Sequence, residues 1–338
     1  MSLPKWGNHR ENPAKWSRRR FLQAGVAGVG IAGATLALHP WRAQSKVIIP
    51  PIPEGLPTNG NGISPMQFCR EFDYGTLKQE NGRTVREFQL IGKSTTVQLN
   101  DAVSFVTWNF NGRVPGPTLR AKEGDRVRIV FLNQGGHSHS IHLHGTHPAA
   151  VDGVKPVRNG NATIYEFDAV PYGVHLYHCH VSPISRHIGK GMHGMFIVDP
   201  KQGRPPADEL VMVMGGYDVN DNGDHKNELY AFNGLPNYYM KNPIPVYQNQ
   251  RLRLYVLNLI EYDPAVTFHL HANFFQVYPT GMTLKPAYES DVITMGTAER
   301  HILEFSYAEP GMYMFHPHQD TIAESGCMGM FDVMPRPS

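Results

Sequence analysis

The sequence predicts an all-β fold of two tandem Greek-key sandwich or barrel domains. The chain has 338 residues, of which 33 are glycine, 27 are proline and only 18% are charged. Frequent turn residues between short alternating segments are typical of β proteins, and no long helical periodicity occurs. The length is sufficient for two domains, each with its own core. An internal repeat indicates that there are two.

The second half of the chain repeats the first. Residues Phe167–His180 align without a gap with Phe305–His318. A second echo pairs Arg126–Asn133 with Arg251–Asn258, and both segments alternate like strands with one buried face. A repeat of this length predicts two related domains. The predicted parts are a signal segment at 1–45, an extended leader at 46–65, and domains at 66–200 and 208–338.

The N-terminus predicts export. Residues 17–23, Ser-Arg-Arg-Arg-Phe-Leu-Gln, match the twin-arginine pattern, and Ala24–Leu38 is a short apolar stretch. We therefore expect a periplasmic or extracellular protein, with stable membrane insertion only if the segment stays as an uncleaved anchor. Residues 1–45 hold seven of the 31 Lys and Arg but one of the 29 Asp and Glu. The remainder is net negative, so no nucleic-acid partner is expected.

Four His-x-His pairs lie at equivalent places in the repeat. They are His142/His144, His178/His180, His269/His271 and His316/His318. On a strand, residues i and i+2 point to the same face, so each pair presents two imidazoles side by side. Burying eight imidazoles without partners would be costly. The pattern therefore predicts a metal site rather than eight structural histidines.

Cys179 lies between His178 and His180, and strand alternation turns its thiol toward the opposite face. His187 and Met192 complete a Cys-x7-His-x4-Met pattern, and His139 lies three residues before His142. One cysteine, two histidines and a weak axial methionine are the ligands of a blue-copper site. A free buried cysteine is the alternative for Cys179 taken alone.

These motifs resemble the signatures of multicopper oxidases, the laccase and bilirubin-oxidase group. They are His139-x2-His142-x-His144-Gly145, His178-Cys179-His180 and His187-x4-Met192. The resemblance covers essentially everything after residue 45. It implies cupredoxin-like domains, a type 1 copper that takes electrons from a donor, and a trinuclear cluster that reduces dioxygen to water. It also implies about four coppers per chain.

The resemblance assigns every predicted ligand. His139, Cys179, His187 and Met192 would hold the type 1 copper; His142 and His269 the type 2 copper; and His144, His178, His180, His271, His316 and His318 the type 3 coppers.

The second domain departs from the first. Pro317 stands in place of the cysteine, Val266 in place of the extra histidine, and Cys327 aligns with Met192. The chain thus resembles the small two-domain oxidases with type 1 copper in the first domain only. In those proteins three chains form a ring, with the trinuclear site between chains, which implies a homotrimer. The sequence leaves open whether Cys69 and Cys327 are thiols or a disulfide.

Reduction of dioxygen consumes protons, so carboxylates near the cluster are expected to relay them. Asp152 and Asp320 are the candidates, with turn or capping chemistry as the alternative for both. The donor is expected near the edge of His187, and it would be a phenol, an aromatic amine or a metal ion.

Two other functions compete with the oxidase. A copper nitrite reductase fits the Cys-to-His-to-Met spacing, but it needs only three histidines around one catalytic copper. A non-catalytic electron carrier or copper-storage protein would need still fewer of these histidines. Ligand number therefore favours the oxidase.

Overall fold

Regular structure in this protein is almost entirely β-strand. The computed structural model describes residues 47–58 and 62–337, and the predicted signal segment lies outside them. Within the described residues, no helix has the length and apolar character that a membrane crossing requires. The prediction of an all-β fold is confirmed.

Nine strands and two short helices form the first half. They are α1 (Pro65–Phe68), β1 (Thr76–Glu80), β2 (Arg83–Asn100), β3 (Val103–Phe110), β4 (Leu119–Lys122), β5 (Arg126–Asn133), β6 (His142–Leu143), β7 (Ala162–Asp168), β8 (Gly173–His178), α2 (Ile184–Gly189) and β9 (His193–Asp199). One sheet has the order β1-β2-β5-β7, with β3 also paired to β2, and the facing sheet has the order β4-β9-β8-β6.

Eleven strands and two short helices form the second half. They are β10 (Asp208–Tyr217), β11 (Leu229–Phe232), α3 (Tyr238–Lys241), β12 (Ile244–Tyr247), β13 (Leu252–Leu259), β14 (Ala265–Leu270), β15 (Phe275–Pro279), β16 (Tyr288–Ser290), β17 (Val292–Gly296), β18 (Arg300–Phe305), β19 (Gly311–His316), α4 (Asp320–Glu324) and β20 (Gly329–Met334). Their sheets run β11-β10-β13-β18-β15-β16 and β12-β20-β19-β14-β17.

The two halves share one pairing scheme. β2 pairs parallel with β5, as β10 does with β13, and β4 pairs parallel with β9, as β12 does with β20. The registers also correspond, because His142 lies opposite His178 and His269 lies opposite His316. The sequence repeat is therefore a structural repeat that places equivalent histidines on equivalent strands.

A third apolar cluster lies between the halves, in addition to one core in each. It packs Val174 and Leu176 of β8 against strands of the second half that include Val213 and Leu257. β5 alternates as predicted, but β13 is buried along its whole length. The prediction that β13 buries only one face was wrong, because the first half of the chain covers its other face.

The described part of the extended leader, residues 47–58, contacts the second half of the chain. Residues 47–58 form no helix or strand, but the backbone of Ile48 exchanges two hydrogen bonds with the side-chain amide of Gln250. Ile52 and Leu56 pack against the core of the second half. Ser64 then caps α1 by accepting a hydrogen bond from the backbone of Gln67.

Candidate metal centres

The first centre brings together the predicted type 1 residues. Cys179 directly follows β8, His187 lies on α2, and the Cys179 Sγ is 3.1 Å from the His187 Nδ1. The His139 Nδ1 lies 3.8 Å from the same sulfur and 3.2 Å from the His187 Nδ1. The backbone carbonyl of Met192 accepts a hydrogen bond from the Cys179 amide, which fixes Met192 beside the cysteine. All four side chains are buried.

The chemistry of these donors fits copper. Burial lowers the pKa of His139 to about 4, with the neighbouring His187 as the second cause, and burial lowers the pKa of His187 to about 4. Both rings are therefore neutral near pH 7. A soft sulfur ligand with two neutral imidazoles selects copper over hard cations such as Ca²⁺. The amide of Ser140 lies 3.4 Å from the sulfur, where it would support a thiolate.

The second group is formed by four histidines of the first half. The ring of His142 lies 5.2, 5.1 and 4.9 Å from those of His144, His178 and His180, between ring centroids. The Nε2 atoms of His144 and His178 are 3.2 Å apart. Burial lowers the pKa of His144 to about 3 and that of His178 to about 4, and neighbouring imidazoles contribute further.

The third group repeats this arrangement in the second half. The ring of His269 lies 5.1, 5.5 and 5.2 Å from those of His271, His316 and His318. The Nε2 atoms of His271 and His316 are 2.9 Å apart. His271 and His318 are exposed, so this group opens to solvent within the chain.

Backbone carbonyls fix the ring orientation in both groups. The Nδ1 atom of His178 lies 2.9 Å from the Cys179 carbonyl, and that of His316 lies 2.7 Å from the equivalent Pro317 carbonyl. A carbonyl only accepts, so each Nδ1 carries the proton and each Nε2 keeps its lone pair. The Nε2 lone pairs of His178 and His316 lie next to the Nε2 atoms of His144 and His271, so a cation placed between the rings would be bound by both nitrogens of each pair. The arrangement therefore fits a metal site.

Asp152 contacts a predicted ligand, and Asp320 does not. The Asp152 carbonyl and the Asp152 Oδ1 lie 2.7 and 3.2 Å from the His142 Nδ1. Asp320 is the first residue of α4, and its side chain is exposed. In the described chain, no hydrogen bond or ion pair joins it to the histidines of its half.

Asp291 is the counterpart that sequence reasoning missed. Its carbonyl lies 2.8 Å from the His269 Nδ1, and its Oδ2 lies 3.8 Å from the same atom. Asp152 follows its histidine by ten residues, whereas Asp291 follows by 22 because β15 and β16 intervene. A gapless repeat alignment therefore could not have identified it.

Trp108 covers the first centre and was also missed. Its ring lies 4.8 Å from that of His187 and 4.6 Å from that of the exposed His137, and Arg186 lies 5.8 Å above it. His187 is only 4% exposed, whereas Trp108 is partly exposed. The solvent-facing ring next to this centre is thus the indole rather than the edge of His187.

Two family models cover most of the chain. Both are described as multicopper oxidase, and they match residues 92–203 and 205–337. This chain belongs to the multicopper oxidase family. The predicted resemblance to a two-domain multicopper oxidase related to copper nitrite reductases is confirmed, and membership implies copper as the cofactor.

Relatives of this multicopper oxidase include two kinds of enzyme. It is 27% identical over 267 residues to a copper-containing nitrite reductase of Neisseria gonorrhoeae, covering 70% of this chain and 66% of that protein. It is 30% identical over 142 residues to laccase-22 of Oryza sativa subsp. japonica, covering 38% and 24%. This chain thus spans about two thirds of the length of the nitrite reductase that it matches.

Solved structures share the fold of this multicopper oxidase. A crystal structure of a multicopper oxidase is 46% identical, with a TM-score of 0.79, and the match covers 81% of this chain and 98% of that one. A copper nitrite reductase from Nitrosomonas europaea is 26% identical, with a TM-score of 0.67 and coverage of 74% and 94%.

Proposed function

We propose that this protein is a laccase-like oxidase that couples one-electron oxidation of a small reductant to reduction of dioxygen to water. The observation that carries the proposal is the pair of matched four-histidine groups, one in each half of the chain. Copper bound at these centres would supply one-electron exchange with the donor and four-electron reduction of dioxygen. About four coppers per chain are expected.

The donor side is assigned to Trp108. A phenol or aromatic amine would stack on the partly exposed indole, which is in ring contact with His187. Arg186 above the indole favours donors that carry a negative or π-rich group. The chain therefore holds the donor one ring away from the buried cysteine and histidines.

The residues between the centres supply a short connection. Cys179 belongs to the first centre, and its chain neighbours His178 and His180 belong to the second group. Asp152 and Asp291 hold His142 and His269 by their Nδ1 atoms. We assign to the backbone carbonyls of these two residues the positioning of both rings. To the Asp152 carboxylate, whose side chain is partly open to solvent, we assign the delivery of protons.

The trinuclear site is proposed to form between chains of a homotrimer. Among the described residues, no group of mutually close ligand atoms combines histidines of both halves. Val154 and Phe274 follow the two groups closely in sequence and are 56% and 62% exposed. A second copy that brings its own half-site would bury this apolar surface and complete the ligand set.

Export by the twin-arginine route to the periplasm or outside the cell is also proposed. Its support is the pattern at residues 17–23 and the basic excess confined to residues 1–45. A fractionation experiment with and without Arg18→Lys and Arg19→Lys tests it, because the route depends on the arginine pair.

A copper nitrite reductase is the second candidate. The relatives from Neisseria and the Cys179-to-Met192 spacing favour it. The third candidate is a non-catalytic copper or electron-transfer protein. Copper per chain in fully metallated protein separates them, because the oxidase needs about four, a nitrite reductase two and a carrier one. We expect a value near four with dioxygen uptake, and a value near two would overturn the oxidase proposal.

A further inference from the structure

A cleft of about 550 Å³ lies beside the segment that joins the two halves. Residues 199–207 form one wall, and side chains from β4, β10 and β13 form the others. This volume is within the range of roughly 300–1,000 Å³ that small-molecule pockets occupy. None of the predicted copper ligands lines the cleft. It is thus a separate feature of the molecule, independent of the proposed oxidase activity.

The lining of the cleft is strongly cationic. Its basic residues are Arg86, Arg120, Lys122, Lys201, Arg204 and Arg253, and its only carboxylates among the described residues are Asp199 and Glu209. The lining keeps a net positive charge because the basic residues outnumber the two carboxylates, which are both paired with Arg120. The Arg120 guanidinium donates to Asp199 at 2.8 and 2.9 Å and to Glu209 at 2.8 and 3.1 Å.

Three of the arginines form a fixed wall. The Arg120 guanidinium lies 4.7 Å from the ring of Phe72 in addition to its two carboxylates. Arg253 binds Glu304 at 2.6 Å, and Arg86 binds Asp125 at 2.7 Å. Paired arginines of this kind are held in place by several hydrogen bonds. The fixed wall therefore supplies shape, and the remaining three cations supply unbalanced charge.

In the part of the chain that the structure describes, the side-chain nitrogens of Lys122, Lys201 and Arg204 form no ion pair within 4.0 Å. The backbone amides of Lys122 and Lys201 donate to the carboxylates of Asp125 and Glu123 at 3.0 and 3.5 Å. Arg204 donates to the Gly281 carbonyl and lies 5.5 Å from the ring of Tyr278. Burial lowers the pKa of Arg204 and nearby Arg253 lowers it further, while the carboxylate of Glu304 raises it. A half-buried cation that makes no direct ion pair is stabilised when an anion binds beside it.

We propose that this cleft binds an organic anion whose phosphate, sulfate or carboxylate group is held by Lys122, Lys201 and Arg204. The apolar part of the ligand packs against the ring of Tyr74, which is 53% exposed, and against prolines of the joining segment. Because the lining comes from both halves, the bound anion bridges them and stabilises their packing.

Calorimetric titration of the full copper-loaded chain at constant ionic strength tests the proposal. The probes are phenyl phosphate, inorganic phosphate and benzyl alcohol, a neutral aromatic that is not a phenolic donor. We expect saturable one-to-one binding of phenyl phosphate, weaker binding of inorganic phosphate and none of benzyl alcohol. Phenyl phosphate that does not saturate would overturn the site, and benzyl alcohol that binds as well as phenyl phosphate would overturn the role of the oxyanion. Equal affinity for the two phosphates would overturn the apolar contact.

Substitutions of single basic residues test whether the anion binds in this cleft. Lys201→Gln and Arg204→Gln should each weaken phenyl phosphate binding at least about tenfold, since each removes a charge-assisted hydrogen bond. Lys226→Gln is the matched control, because Lys226 lies outside the cleft. Lys201 is exposed, so Lys201→Gln keeps the test valid if Arg204→Gln fails to fold. Wild-type affinity in Lys201→Gln would contradict the proposal.

Discussion

At the scale of single residues, the ring nitrogens of the histidines determine what these centres can hold. Four of the eight paired histidines place the Nδ1 atom against a backbone carbonyl. That contact fixes the tautomer and turns the Nε2 lone pair toward the neighbouring ring. In His178 and in His316, the carbonyl that meets the Nδ1 atom belongs to the next residue of the chain. A metal site is thus prepared by main-chain atoms as much as by side chains.

Trp108 gives a prediction at this scale. Replacing it with leucine should lower kcat/KM for phenolic donors at least about tenfold, because the donor loses the ring that contacts His187. Copper content should not change. The other three tryptophans lie within the proposed signal segment, so in protein from which residues 1–45 have been removed the copper-sensitive tryptophan emission should vanish in Trp108→Leu.

Val106 offers the matched control for Trp108. It lies two residues earlier on β3, is 53% exposed, and has no ring to contribute. Val106→Ala should leave donor oxidation and emission at wild-type values. Wild-type kcat/KM in Trp108→Leu would remove this residue from the donor contact.

At the scale of elements, each centre is assembled by strand ends and the connections that follow them. β8 delivers Cys179 and His178, while a short helix delivers His187 and the connection after β6 delivers Asp152. The register between β6 and β8, and between β14 and β19, sets the spacing of the rings across strands. Strand pairing is therefore the main source of precision, and the connections supply the ligands and supports that strands alone cannot.

Gly153 gives a prediction for one of these connections. Its φ is +80°, and a Cβ there would collide with the Ile141 carbonyl group. Gly153→Ala should therefore displace Asp152 from His142, lower the free energy of unfolding by more than about 1 kcal/mol and reduce copper occupancy. Chemical denaturation and metal analysis would measure both effects.

Gly160 is the matched control, because a substitution there tests the effect of backbone strain without a steric collision. Its φ is +83°, but nothing lies within 4 Å of the place that an added Cβ would take. Gly160→Ala should cost only the backbone strain and keep full copper content. Equal copper loss in the two variants would show that the contact of Asp152 with His142 does not depend on this turn.

At the scale of the whole molecule, the two halves are joined by an apolar layer and by ion pairs, yet their histidine groups stay separate. Arg120 of β4 binds Glu209 of β10, and the buried Arg70 binds Asp208 at 2.9 Å. Both contacts fix the first half against the second. If the trinuclear site forms as proposed, a second chain must bring a group of the first half to a group of the second half.

Mixing two inactive variants tests that arrangement. His180→Ala breaks the group of the first half, and His318→Ala breaks that of the second. If the cluster forms between chains, co-expression should restore dioxygen uptake, because some interfaces in a mixed ring combine two intact groups. If mixed oligomers form and no activity returns, the inter-chain site is contradicted. Light scattering should give the mass of a trimer.

The pH dependence of the metal-free protein also belongs to this scale. Burial lowers the pKa of eight histidines among the described residues, three of which are His175, His271 and His301. The other five reach about 4 for His139, His178 and His187 and about 3 for His144 and His193. The unfolded chain binds these protons from about pH 6.5 downward, whereas the folded chain does not. Stability is therefore present above pH 6.5 and is lost as the pH falls toward 4.

Each such histidine contributes up to about 1.4 kcal/mol per pH unit in that window. Urea unfolding of chelator-treated protein at pH 7.5 and 5.5 measures the effect before most carboxylates titrate. We expect clearly lower stability at pH 5.5. Equal stability at the two values would show that the imidazoles are solvated in the folded chain.

Much of the site was predictable because it repeats. Cys179 and the four His-x-His pairs stand at fixed spacings, and a strand converts such spacings into shared faces. Asp291, Trp108 and the anion cleft were not predictable. Each depends on a connection or a sheet contact that carries no periodic signal in the chain.

The sequence by itself determined the all-β class, the internal repeat, the family and the residues that converge in each half. The class, the repeat and the converging residues follow from local spacing and composition, which act over a few residues, and the family follows from the resemblance of the motifs. The tertiary structure alone decided that β13 is buried on both faces, that Asp291 supports His269, and that Trp108 rather than His187 meets solvent. Such contacts join residues far apart in the chain, so they exist only once the sheets have packed.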